Sequence, residues 1–508
     1  MSDHYRKEKS TRLPTRPEAA LPILTLLGMM IPNYIFHWGL DPHMPLVLAS
    51  AVGFIVGHRC GVSYPSMLAG ALSTINGTME AQLILMLVGC LTGAWLMAGT
   101  IPAIVYYGLH LLSPKIFLPV GLVLCGVIGL ATGSAWTTTA TVGIAFTSIG
   151  AGLGINPAIT AGMCISGAAM GDKMSPLSDS TNLAAGVSET NLFDHVGAMI
   201  TTTVPSFVVA LIVYALISFF TPIGEFDSSV AHNLQMALAE NFQLSPLLFL
   251  PALVIIVVAI LKIPAIPGIV LSTVIGFAFA AVFQGAGFID SLKVAHYGFS
   301  IETGNSLADS LLNRGGMDGM MWTINLAIIA IGFGGLLEKI GIVESLLGNL
   351  VQKIKGVGSL ILVTMATSLF ANISMSDQYL ALIIPASMYK DLYDKQGLSR
   401  SMLSRTLEDM GTLWSPMIPW TSCGAHHTLM LGVSPIQYFP FAYMPLFTPI
   451  IALFGAYTGR MVIWADGKQS GLFSTRLKQR KPAQAPEYSL EISLPAIAAH
   501  RDQVNGEG

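Results

Sequence analysis

The sequence predicts an all-α polytopic membrane protein made of two inverted repeats, each holding a re-entrant hairpin and a broken transmembrane helix. Three observations lead there. The 508 residues are 53% hydrophobic and only 10% charged, against roughly 25% charged in a soluble domain. The charges are also unevenly placed: Lys115 is the only Asp, Glu, Lys or Arg between Glu80 and Asp172, and none lies between Asp409 and Arg460. Finally, the apolar runs are interrupted by polar or Gly/Pro residues in two pairs of segments, one pair in each half.

In chain order, residues 1–20 read as a retained polar tail, with Arg6, Lys7, Lys9, Arg12 and Arg16 and no obvious cleavage site. Residues 21–43 hold an extra N-terminal helix. The first repeat, 44–222, has apolar runs near 44–58, 64–77, 81–98 and 198–220, with a hairpin over 116–150 and a broken helix over 157–190. A linker, 223–243, follows. The second repeat, 244–464, has runs near 244–262, 265–284, 321–337 and 439–459, with a hairpin over 357–389 and a broken helix over 401–433. These runs approach spanning length. Residues 465–508 form a second polar tail.

The duplication rests on residues in a fixed frame. Gly171, Ser175, Pro176 and Thr181 recur as Gly411, Ser415, Pro416 and Thr421, a shift of 411 − 171 = 240, which also carries Ser134 onto Ser374. Gly93 and Gly99 fall on Gly335 and Gly341 with a shift of 242, and Pro65 on Pro267 with a shift of 202. The smaller shift places an extra loop of about forty residues in the second half, over Phe288–Asp318. Parity then inverts the copies. A hairpin that dips and returns does not cross, so one broken helix and four ordinary helices separate the two hairpins, an odd number of crossings, as in secondary transporters. Charge leaves the absolute orientation open. Lys353, Lys355, Lys390, Lys395, Arg400 and Arg405 place the feet of the second hairpin in the cytoplasm, whereas a cytoplasmic amino tail requires the opposite.

The interruptions carry the function. Irregular backbone at membrane depth is tolerated only where protein buries it or a cavity hydrates it. Broken helices also present free carbonyls to cations and free N–H groups to anions. The four interruptions would gather Ser134, Thr137, Thr138, Thr139, Asp172, Ser175, Asp179, Thr181 and Asn182 from the first half. The second half would add Asn372, Ser374, Ser376, Asp377, Gln378, Ser415 and Thr421, with Glu408 and Asp409 one turn or more earlier. Oxygen ligands of this kind suit a hard cation such as Na+. A buried carboxylate is pushed toward protonation and a bound cation opposes this, so Na+ and H+ compete for it. Asp179, Asp377, Asp172, Glu408 and Asp409 are therefore the candidate proton carriers. The bland alternatives are an Asp172–Lys173 ion pair, an Arg405 pair with Glu408 or Asp409, and packing or interfacial roles for Trp136 and Trp420.

Other classes find little support. The net charge of −3 offers no basic stripe for nucleic acid. Five scattered cysteines form no CxxC, and the neighbours His426 and His427 point in different directions on a helix, so no transition-metal site is expected. No GxxxxGK[ST] or HExxH occurs, and Asp194-His195 reads as surface capping near a helix end. A channel differs from an antiporter only in coupling.

The stretches "GSAWTTTATVGIAF", "GDKMSPLSDSTNLAAG" and "EDMGTLWSPMIPWTSCGA" resemble the NhaC-type Na+/H+ antiporter family, in order and spacing from about Gly53 to Trp464. The resemblance implies an ion-transporter-superfamily fold in a bacterial inner membrane, exchanging Na+ for H+ with no cofactor. By the same resemblance Asp172, Ser175, Pro176, Asp179 and Thr181 form the first signature, and Gly411, Ser415, Pro416, Pro419 and Trp420 the second. Asp179 has no acidic counterpart at Pro419, nor Asp377 at Thr137, so the cation sites need not be equivalent. Similar exchangers carry organic acids, which makes malate/lactate-type exchange the alternative. A homodimer through helices of 44–98 and 244–337 is the expected assembly.

Overall fold

The computed structural model describes residues 12–466 apart from 37, 112, 177, 221–227, 262, 348–353 and 355. Arg6, Lys7, Lys9, Lys353, Lys355, the start of the expected linker and the tail from Gly467 lie outside the described residues. Among the described residues the regular structure is helical, and the β pairing consists of two isolated bridges, Phe299 with Arg314 and Leu398 with Trp464. Four helices are long and apolar enough to cross a bilayer singly: Leu192–Phe220, Ile266–Gln284, Gly316–Ile340 and Val357–Met375. Counting each of three bent pairs as one span brings the total to as many as seven. This is the architecture of a polytopic membrane protein.

Several expectations require correction. The first repeat contains a helix outside the expected runs, Thr100–Leu111, set off because Gly99 takes a left-handed φ of 83° and closes the preceding helix. The linker contains the helix Ser228–Asn241. The expected loop at 288–318 holds two short helices, Phe288–Tyr297 and Ser306–Leu312. His195 is not a surface cap: it is buried, with Nδ1 2.7 Å from Ser404 Oγ.

Both pairs of interruptions are present, but they are shorter than the sequence suggests. The helix Pro114–Thr132 ends at Gly133, and the chain turns helical again at Ala135, passing through a π-helical turn at Thr139–Gly143 into Ile144–Gly152. The threonines expected at the tip are therefore helical. Thr138 Oγ1 donates to Ser134 O at 2.8 Å and Thr139 Oγ1 to Ala135 O at 3.0 Å, the back-bonding that lets hydroxyls sit inside helices. In the second half Val357–Met375 ends at Ser376, and Leu380–Lys395 follows. The helix Pro157–Met174 breaks before Asp179–Val187, and Arg400–Trp414 passes through a 3-10 turn, Ser415–Met417, before Ser422–Leu431.

These boundaries recur at a spacing of 243 residues: 114 and 357, 133 and 376, 157 and 400, 179 and 422. Gly133 and Ser376 share left-handed φ values of 66° and 61°, and each N–H bonds the carbonyl four residues back. The Gly/Ser/Pro frame of 240 is thus three residues out of step with the helical frame. Ser178 and Thr421, not Thr181 and Thr421, hold the same position before a helix.

Glycines set how closely these elements pack. Gly167 and Gly171, four apart on one face, press against Pro114–Thr132. A Cβ at Gly167 would lie 2.5 Å from Leu122 O, and one at Gly171 2.3 Å from Leu130 N. Small residues at this spacing let two backbones meet where lipid supplies no hydrophobic drive. The first break is thereby fixed against the first hairpin.

Candidate functional site

Each interruption is stabilised by its own side chains. Ser134 Oγ accepts from Thr137 N at 3.1 Å, Ser178 Oγ from Thr181 N at 3.4 Å, and Thr421 Oγ1 from Gly424 N at 3.0 Å. At the fourth, Asp377 Oδ1 accepts from Tyr379 N at 2.9 Å and Leu380 N at 3.0 Å. Ser134, Ser178 and Thr421 are N-caps, each contributing about 1 kcal/mol, while Asp377 bonds the turn that leads into Leu380–Lys395. A carboxylate in that role also answers the positive end of its helix.

The breaks border one cavity of about 700 Å³. Of the residues singled out from the sequence, Ser134, Thr137, Asp172, Asp179, Asp377 and Gln378 line it. Asp172 Oδ1 is buried with no hydrogen-bond partner among the described residues, and so is Asp377 Oδ2. Asp179 Oδ1 accepts from Ser180 N at 2.9 Å, while its Oδ2 accepts from the Tyr379 hydroxyl.

The remaining candidates do not line the cavity. Thr181 Oγ1 donates to Asp172 O at 3.3 Å, and Asn182 Nδ2 to Pro176 O at 3.0 Å and Ser178 O at 2.6 Å, so both brace the first break. Asn372 Nδ2 donates to Gly411 O at 2.5 Å and Ser374 Oγ to Phe370 O at 2.6 Å. Ser376 O accepts from Ser422 N at 3.3 Å, and Thr421 Oγ1 donates to Ser415 O at 2.6 Å. Ser175, Thr138 and Thr139 are likewise buried off the cavity wall.

Glu408 and Asp409 are fully buried and pair with basic groups. Lys173 Nζ lies 3.8 Å from Glu408 and 3.6 Å from Asp409, and Arg405 Nε lies 3.7 Å from Asp409. Thr202 Oγ1 also donates to Asp409 at 3.0 Å. Lys173 thus reaches across to the second half and not to Asp172, the first of the bland alternatives, whereas Arg405 pairs with Asp409 as the second alternative has it.

Several cavity residues were missed. Glu338, near the end of the apolar helix Gly316–Ile340, lines the wall with Glu80, Lys173, Tyr379 and His427. A charge inside a spanning helix was the available signal for Glu338. Both histidines reach the first hairpin: His427 Nδ1 lies 3.1 Å from Thr139 Oγ1, and His426 stacks on Trp136 with centroids 4.5 Å apart. Each hairpin tip therefore bonds to the broken helix of the other half, Tyr379 to Asp179 and Trp136–Thr139 to His426–His427.

The lining is strongly acidic: Glu80, Asp172, Asp179, Glu338 and Asp377 face Lys173 and His427. Carboxylates and hydroxyls at the ends of interrupted helices also characterise the signature stretches of the sequence. A profile described as the Na+/H+ antiporter family matches residues 167–460, which take in the break of the first broken helix, the second hairpin and the second broken helix. The chain belongs to the Na+/H+ antiporter family. This antiporter-family chain is 37% identical to the Na(+)/H(+) antiporter NhaC of Alkalihalophilus pseudofirmus, over 89% of its own length and 98% of the relative's. It is 35% identical to the Malate-2H(+)/Na(+)-lactate antiporter of Bacillus subtilis, over 89% and 97% of the two chains. It is also 35% identical to the Arginine/ornithine antiporter ArcD of Halobacterium salinarum, over 92% and 96%. Its membrane location follows from the family and from the apolar spans together.

Proposed function

We propose that this antiporter exchanges Na+ for H+ by alternating access, with Asp172, Asp179 and Asp377 as the groups that carry cation or proton. The observation that carries this reading is the acidic lining. Five carboxylates border the cavity, and its one lysine is already engaged with Glu408 and Asp409. A carboxylate facing such a cavity has two competing occupants, a proton and a hard cation. Both are cargo, and the cycle needs no bound cofactor.

Ser134, Thr137 and Gln378 complete the lining beside these acids. Thr138, Thr139, Ser175, Thr181, Asn182, Asn372, Ser374, Ser376, Ser415 and Thr421 hold the breaks in shape and act on the ion through them. The 243-residue recurrence of helix boundaries supports two repeats, 44–222 and 244–464, inverted by the parity of their crossings. The exposed apolar face of Ala265–Gln284, including Val274 and Val282, suits lipid or the helices of a second copy. A bacterial inner membrane is the matching location.

Exchange of an organic acid is the second reading. The B. subtilis malate/lactate antiporter favours it, as do a cavity much larger than one sodium ion and the Trp136 and His427 side chains on its wall. The deciding experiment uses the purified chain in liposomes carrying a pH dye, at clamped voltage, with Na+, K+ or L-malate added outside. Proton movement driven by Na+ alone, and lost in Asp179→Asn or Asp377→Asn, is the expected result. A requirement for malate would replace the first reading with the second.

A further inference from the structure

The acids of the cavity fall into two groups. Asp172 and Asp179 flank the break of the first interrupted helix, and Tyr379 covers Asp179 with its hydroxyl. Asp377 sits at the tip of the second hairpin, and Glu338 on the uninterrupted helix Gly316–Ile340. That helix packs directly on the tip: a Cβ at Gly334 would lie 2.6 Å from Met375 O and 2.8 Å from Leu380 Cδ1, on either side of Asp377 in the chain. Glu338 is four residues further along, hence on the same helix face, and it lines the same cavity as Asp377.

Asp377 is 1% exposed. Its Oδ1 is taken by two backbone N–H groups, and its Oδ2 has no hydrogen-bond partner among the described residues. A buried carboxylate oxygen without a donor is costly unless a proton or a cation meets it. Ser73, Thr74 and Thr78 line the same cavity with hard oxygen atoms, and Thr74 packs on the Glu338 helix, where a Cβ at Gly335 would lie 2.3 Å from its Oγ1. Tyr379 stands between the two groups, its N–H on Asp377 and its hydroxyl on Asp179.

We infer that Glu338 and Asp377 form a second site for a monovalent alkali cation, separate from the Asp172–Asp179 group and shared between an uninterrupted helix and a hairpin tip. The inference rests on the antiport reading for the identity of the cation, and it assigns Glu338 a ligand role that the signature motifs do not contain. It also gives the two halves unequal sites, one within a broken helix and one between two elements.

The test counts bound 22Na+ on the purified full-length chain at equilibrium, alongside the liposome assay. Wild type is expected to bind two Na+ per chain, and Glu338→Gln one, with the Na+ concentration for half-maximal exchange raised about tenfold, the loss of one charge-assisted contact. Glu338→Asp should keep two Na+ with weaker affinity, which guards against a folding defect. Asp179→Asn should lose the other ion and keep the Glu338-dependent one. If wild type exchanges Na+ for H+ but Glu338→Gln binds as many ions with wild-type affinity, this inference fails and the antiport reading stands. If wild type shows no Na+-driven proton movement, the antiport reading fails, while two bound Na+ falling to one in Glu338→Gln would still support the site.

Discussion

The Tyr379 hydroxyl donates a hydrogen bond to Asp179, joining the hairpin tip of one half to the helix break of the other across 200 residues of sequence. A cation on Asp179 must share or displace this donor. Tyr379→Phe should therefore lower the KM for Na+ about tenfold, since a hydrogen bond to a charged group is comparable to that factor, while slowing turnover by loosening the tip. A dye assay in liposomes over a range of Na+ concentrations separates the two effects.

Lys173 lies between two buried carboxylates, and its removal would leave Asp409 to Arg405 and Glu408 with no basic partner among the described residues. Lys173→Met should destabilise the protein by about 3–5 kcal/mol, the usual result of breaking a buried pair from one side. Adding Glu408→Gln should recover part of the loss. Monodispersity and thermal unfolding of the detergent-solubilised variants report both changes.

Gly171 has no room for a methyl group, since the added Cβ would meet Leu130 N at 2.3 Å and Gly126 O at 2.4 Å. Gly171→Ala should cost about 1–3 kcal/mol by overpacking and abolish exchange, because the helix and hairpin beside the first break would be forced apart. Gly186→Ala, where nothing lies within 4 Å, is the control expected to behave like wild type.

Outside the spans, Glu189 Oε1 accepts from Lys390 Nζ at 2.6 Å, with Arg400 3.6 Å away. The Lys390 hydrogen bond holds the Glu189 carboxyl below its ordinary value of 4.5. A carboxyl lowered on folding stabilises above its ordinary value, and the benefit disappears as pH falls through the lowered one. Thermal unfolding of wild type and Glu189→Gln should thus differ at neutral pH, by at most about 1 kcal/mol for so exposed a pair, and converge on acidification or in high salt.

The interruptions were legible because Gly, Pro, Ser and Asp cannot lie in lipid-facing helix without compensation, and so were Asp172, Asp179 and Asp377 on the cavity wall. Which hydroxyls face the cavity was not legible. Thr138, Thr139 and Ser374 bond back into their own helices, and Thr421 is a cap off the wall whereas Ser134 is a cap on it; composition does not distinguish these uses from ion binding. Adjacency in sequence offers an Asp172–Lys173 pair only as an alternative, and it gives no sign of the partners Lys173 takes, Glu408 and Asp409. Glu338 lies outside every motif, and its position depends on how Gly334 lets two elements meet.

The capped restarts bear on the return half of the cycle. At each of the four breaks at least one free N–H group is already answered by the chain's own hydroxyl or carboxylate, so departing cargo orphans none of these donors. On the proposed antiport reading, an unloaded carrier built this way would keep its shape without a surrogate ligand, and its reorientation would depend on the charge state of a few carboxylates rather than on refolding the machinery around them.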